Sequence, residues 1–101
     1  MVTLEQQVRP DPDVVDTELE AGETVLLHLK SKLYFSLNPT GTRIWNGLKQ
    51  NLALTQISER LQQEFDVDAQ RADRSVLDLV NELSQQRLIE CVDARNQLKR
   101  A

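Results

Sequence analysis

Apolar and polar positions alternate through the first third of the chain and then change to a spacing of three and four. DVVDTEL, residues 13–19, reads as a weak strand, and EAGE around Gly22 as a turn. TVLLHL, residues 24–29, follows, with Val25, Leu27 and Leu29 on one face by the two-residue period. KSK then turns the chain into LYFSL, residues 33–37. There Leu33, Phe35 and Leu37 share one face while Tyr34 and Ser36 share the other. Three short strands with brief turns predict an antiparallel meander.

The period becomes helical at Asn38. Asn38 is a natural N-cap, and Pro39 stands at the first helical position, where its missing N–H costs nothing. Ile44, Trp45 and Leu48 form the apolar face of this first helix, which Gly47 weakens and QNLAL ends. Thr55 is a candidate cap for a second helix whose Ile57, Leu61 and Phe65 step by four. DVD breaks that pattern. Asp68 caps a third helix running to about Gln86, with Ala69, Ala72, Val76, Leu77, Leu79, Val80 and Leu83 as its apolar residues.

At about 100° per residue those seven positions cover a stripe wider than one contact needs. Val76, Val80 and Leu83 mark its centre, with Leu77 on one flank and Leu79 on the other. Either the helix is packed on two sides, or one flank is left for a partner. RLIECV, residues 87–92, predicts a short closing strand. At the start of the chain the two prolines of RPDP, Arg9–Pro12, restrict their neighbours, so an irregular arm is expected over residues 1–12. A polar tail is expected over 93–101, leaving one domain at 13–92. The predicted class is α+β: a winged helix-turn-helix-like unit with an N-terminal three-stranded antiparallel sheet followed by three helices.

Composition narrows the function. With 101 residues the chain is one domain. Three of its four aromatic residues, Tyr34, Phe35 and Trp45, lie close together, which centres the core there. Twelve basic against sixteen acidic residues give a net charge of -4. A duplex-binding domain needs a basic face to neutralise phosphates, so this balance argues against nucleic acid. The third helix offers Arg71 and Arg74 but mixes them with Asp73, Asp78 and Glu82. One cysteine, Cys91, excludes an internal disulfide and fits a reducing compartment. No apolar run approaches the roughly 18 residues of a membrane span. A cytoplasmic protein is expected, with no membrane partner.

Catalytic chemistry finds little support. His28, the only histidine, lies on an apolar strand, where packing is the usual role. Cys91 has no partner for a nucleophile pair, and one His with one Cys does not make a zinc site. NPTG at the first helix start has one glycine and no following lysine, so helix capping explains it better than phosphate binding. No catalytic residue, metal ligand or cofactor is predicted.

The ordered set YFSLNPTGTRIW, ISERLQQEFDVD and SVLDLVNELSQQRLI resembles the PqqD-like family, the precursor-peptide recognition elements that act as peptide chaperones in natural-product biosynthesis. The pattern is an aromatic residue before Leu-Asn, then Gly, Ile-Trp, a Leu-rich helix ending in Phe-Asp-Val-Asp, and a helix ending in Leu before Leu-Ile. It covers about residues 13–92. The resemblance implies a non-enzyme that binds the leader segment of a ribosomally made peptide and presents it to a maturation enzyme. That enzyme is a lasso-peptide protease and cyclase or a radical SAM maturase.

In such proteins the leader adds as a further strand beside the third strand, in a cleft walled by the third helix. Carried over by position, Leu33, Tyr34, Phe35, Ser36 and Leu37 are the receiving strand, and Arg71, Ser75, Asp78 and Leu79 the opposite wall. Family members often carry Asp where this chain has Ser75, and a hydroxyl cannot form an ion pair. Arg71 or Arg74 is then the residue to meet an acidic leader. Two other classes stay open: a winged-helix transcription regulator, and a homodimer in which the edge strand pairs with itself.

Overall fold

The computed structural model describes Leu4 and residues 7–92, with the backbone alone for Cys91 and Val92. The expected tail over 93–101 and the thiol of Cys91 lie outside the described residues. The elements run β1 (Gln7–Pro10), β2 (Val14–Glu18), β3 (Thr24–His28), β4 (Tyr34–Leu37), α1 (Pro39–Lys49), α2 (Leu54–Phe65), α3 (Ala69–Gln85) and β5 (Ile89–Val92). The strands β2, β3 and β4 form an antiparallel sheet in chain order, followed by three helices, as the hydrophobic pattern predicts.

Two strands depart from that pattern. Arg9–Pro12 was expected to be irregular, yet Gln7–Pro10 pairs antiparallel with β5, Val8 opposite Cys91 and Arg9 opposite Glu90. Pro10 stands at the end of the strand, a position where a missing donor is tolerated. Burial of Val8 (0% exposed) and the Arg9–Glu90 ion pair at 3.0 Å hold the arm in place. The second departure is the face of β3. Thr24, Leu26 and His28 point inward, and Val25, Leu27 and Leu29 point outward, the reverse of the expected assignment. β4 begins at Tyr34, one residue later than expected, because Leu33 belongs to the turn, where its carbonyl accepts from the His28 N–H.

One core joins both sheets to the helices: Val8, Leu26, Leu37, Ile44, Trp45, Leu48, Leu54, Ile57, Leu61, Ala72, Val76, Val80, Leu83, Leu88 and Ile89. The cap of α1 is as expected, with Asn38 Oδ1 accepting from the Gly41 N–H at 2.7 Å. Asp68 caps α3 likewise, accepting from the Arg71 N–H at 2.8 Å. Thr55 does not cap α2. The helix starts at Leu54, which is buried in the core, and Gln56 Oε1 instead accepts from the Ala53 N–H. Gly47 has a packing role: a Cβ there would lie 2.7 Å from Ile57 Cγ1, so the missing side chain lets α1 and α2 close.

Candidate functional site

The sheet order β2-β3-β4 leaves β2 and β4 each paired on one side only, and of these two edges β4 is the one that leads directly into α1. An edge strand offers a row of N–H and C=O groups to another strand. Alternation sorts its side chains. Phe35 is half-buried against the core and Leu37 is buried in it, whereas Tyr34 and Ser36 are exposed on the outer face. Leu37 is therefore committed to packing, and its backbone is what the edge has to offer. β4 passes into α1 through Asn38 alone, so the capped helix fixes the direction of the strand.

On α3, Ala72, Val76, Val80 and Leu83 are buried and define the inward line. Asp73 lies to one side, where its carboxylate accepts from the buried Ser58 hydroxyl of α2. That bond occupies one flank. By the 100° step, Arg71, Ser75, Asp78 and Leu79 fall on the other flank, together with Glu82 and Gln86. Leu79 is half-buried against the core, Ser75 half-buried, and Arg71 and Asp78 exposed. Arg74 lies nearer the outward face, and it lines a shallow depression with Arg71, Asp68 and Gln70 at the start of the helix.

The turn before β4 and the C-terminal end of α3 share a cleft. A space of about 580 Å³ opens between the β3–β4 turn and the end of α3. Lys30, Ser31 and Leu33 line it from the turn, and Gln85, Gln86 and Arg87 from the helix end, with Asp11, Asp13 and His28 completing it. The sequence pattern does not mark Gln85, Gln86 or Arg87 as site residues, since polar residues at a helix end give no pattern. The turn is built on His28, whose Nδ1 accepts from the N–H groups of Lys30 and Ser31 at 3.2 and 3.3 Å. Its Nε2 faces Asp11 at 3.8 Å, so this buried histidine organises the loop before β4.

A second polar cluster anchors the sheet. Asp16 of β2 accepts from Trp45 Nε1 and from Lys49 Nζ, both at 2.7 Å. Burial alone would push this carboxyl up, but the two hydrogen bonds and the ammonium charge outweigh it and hold the group below its ordinary value. Among the described residues no group of three or more His, Cys, Asp or Glu side chains is placed to hold a metal ion. No helix among them is long and apolar enough to cross a membrane.

The family model for Coenzyme PQQ synthesis protein D (PqqD) matches residues 23–89. The chain belongs to the PqqD family. Two solved structures are similar to this PqqD-family chain over nearly the whole described part. "TbiB1 in Complex with the TbiA(beta) Leader Peptide" is 30% identical, with a TM-score of 0.77, covering 81% of this chain and 94% of that one. "Lasso peptide synthetase B1 complexed with the leader peptide" is 25% identical, with a TM-score of 0.75, covering 82% and 96%. A search of curated proteins gives no match.

Proposed function

We propose that this PqqD-family chain is a non-catalytic cytoplasmic protein that captures the leader of a ribosomally made precursor peptide and presents it to a maturation enzyme. The enzyme is a protease and cyclase pair or a radical SAM maturase. The observation that carries this reading is the one-sided pairing of β4, with a cleft between the turn that leads into it and the end of α3. The leader complexes of both structural neighbours support it.

The division of labour follows from the chemistry. Main-chain bonds from β4 hold an added strand whatever its sequence, while alternate side chains of that strand enter the groove and are chosen there. Phe35 and Leu79 give the groove an apolar middle, and Arg71, Ser75 and Asp78 give it a polar wall. Arg71 offers an acidic leader residue a bidentate partner, as Ser75 cannot pair with a charge.

Hydrogen exchange tests the reading. A synthetic leader should slow exchange at the outward-facing amides of Tyr34–Leu37 and shift resonances of Leu79 and Ser75. Binding that protects β2 and leaves β4 unchanged overturns it.

A further inference from the structure

His28 is the only histidine of the chain, and it is buried. It closes β3 opposite Val14 of β2, and the turn to β4 starts from it. Its Nδ1 accepts from two backbone donors, the N–H groups of Lys30 and Ser31. A ring nitrogen that accepts carries no proton, so the neutral ring holds its proton on Nε2. Nε2 faces Asp11 Oδ1 at 3.8 Å, beyond hydrogen-bond reach. That oxygen already accepts from the Asp13 N–H at 2.8 Å.

A second proton reverses the sense of this arrangement. An imidazolium donates from both nitrogens and accepts from neither. Its new N–H would point at the two N–H groups of the turn, three donors with no acceptor between them. Asp11 then draws the charged ring away from the turn. Of the other charged groups lining this cleft, Asp13 and Lys30 offset each other at 3.3 Å, and Arg87 beyond α3 adds positive charge.

The turn depends on the seated ring. The His28 N–H donates to the Leu33 carbonyl, and the His28 carbonyl accepts from the Lys32 N–H. Lys32 holds φ at 65°, in the left-handed region that side chains rarely adopt. A residue stays there only where the surrounding bonds over-determine it. The two bonds to Nδ1 are part of that restraint, and β4 begins just beyond, at Tyr34.

We propose that His28 is a positioning residue for leader capture: its neutral ring holds the β3–β4 turn, and with it the free edge of β4, in the binding form, and protonation releases the turn. The proposal rests on capture at β4. Histidine side chains change charge between about pH 5 and 8, so leader is held more tightly at the upper end of that range. Apparent affinity scales with the population of the seated form, and a single proton limits the fall to about tenfold per pH unit. Asp16, whose carboxyl lies below 3.8, stays charged throughout.

Nitrogen NMR of the imidazole tests this without overlap, because the chain has one histidine. At the upper end of the range Nδ1 should be bare and Nε2 protonated. On acidification the amides of Lys30, Ser31 and Tyr34 should shift together with the ring. A fluorescent leader lacking histidine should bind the parent at least about threefold more weakly at the acid end. His28→Asn sets an amide oxygen near the place of Nδ1 and takes up no proton, so it should bind as the parent does at the upper end and keep that affinity in acid. Parent affinity that stays level while the ring gains its proton overturns the proposal, as does a ring that never gains it in this range. So does a His28→Asn variant that weakens with acid as the parent does. Should circular dichroism show that variant unfolded, the parent's linked shifts and affinity decide. Failure of the parent to bind leader strikes the capture reading instead, and the linked amide shifts still decide whether protonation releases the turn.

Discussion

Trp45 donates its indole N–H to Asp16 at 2.7 Å, and so the middle of β2 is tied to the centre of α1 across the core. Lys49, one turn further along α1, reaches the same carboxylate oxygen. The indole is almost fully buried, which gives the bond its importance. A buried donor left unpaired costs about 1–3 kcal/mol, more than the bond itself contributes.

Asp16→Ala should therefore lower stability by about 1–3 kcal/mol in urea unfolding. Asp16→Asn keeps an acceptor for the indole and should cost less. The pH dependence follows from the lowered carboxyl: its contribution is present above the ordinary value of 3.8 and is lost as pH falls through the lower folded value. The parent's urea midpoint should fall on acidification in that window, and Asp16→Asn should remove part of the fall. Equal acid sensitivity in the two proteins would show that Asp16 carries none of it.

Gly47→Ala sets two effects against each other. Alanine in a helix interior gains about 0.5–1 kcal/mol over glycine, whereas forcing a methyl into a packed core costs about 1–3 kcal/mol. With Ile57 Cγ1 at 2.7 Å and Cδ1 at 3.0 Å from the new Cβ, the steric cost wins. The variant should unfold at lower urea than the parent. In an Ile57→Ala background the same change should be neutral or stabilising, which a double-mutant cycle reads directly.

Much of this fold was legible because its signals are local. The Asn38-Pro39 start, the Asp68 cap and the four-residue steps of α3 each depend on neighbours in sequence. The face of β3 was not legible, because Val25, Leu26 and Leu27 are consecutive apolar residues and the period cannot choose between Leu26 and its neighbours. The choice is made by α1, whose Thr42 hydroxyl donates to that of Thr24 in the buried layer. β1 was missed for a different reason: its partner strand is about eighty residues away, and two prolines argue locally against pairing. At the candidate site the periodicity marked Leu79 and the edge strand, but the cleft at Gln85–Arg87 arises from the meeting of a turn and a helix end, which no single segment encodes.

Duplex DNA should bind weakly at physiological salt. Arg71 and Arg74 of α3 share the helix with Asp73, Asp78 and Glu82, and the whole chain carries a charge of -4. Phosphate neutralisation, which supplies most of non-specific affinity, is thus opposed by the protein's own field. Fluorescence polarisation with labelled duplexes checks this, and tight, sequence-dependent binding would restore the transcription-regulator reading.

Leu79 and Val80 are adjacent on α3 yet differ in burial: Val80 is 0% exposed, while Leu79 is half-buried on the flank proposed to face the leader. A lysine ammonium at Val80 has no route to water, and an unpaired buried charge costs several kcal/mol, a large part of the total stability of a small domain. Val80→Lys should unfold the protein. At Leu79 the longer side chain can carry its charge out along the groove, so Leu79→Lys should keep its helical circular dichroism with a moderate loss of stability. A leader strand seated there would bury that charge again, and affinity for a fluorescent leader should fall by about tenfold or more, a change worth about 1.4 kcal/mol or more. A folded Leu79→Lys that binds leader as tightly as the parent would place the leader elsewhere. One that unfolds as completely as Val80→Lys would make Leu79 part of the core and α3 a helix packed on both flanks.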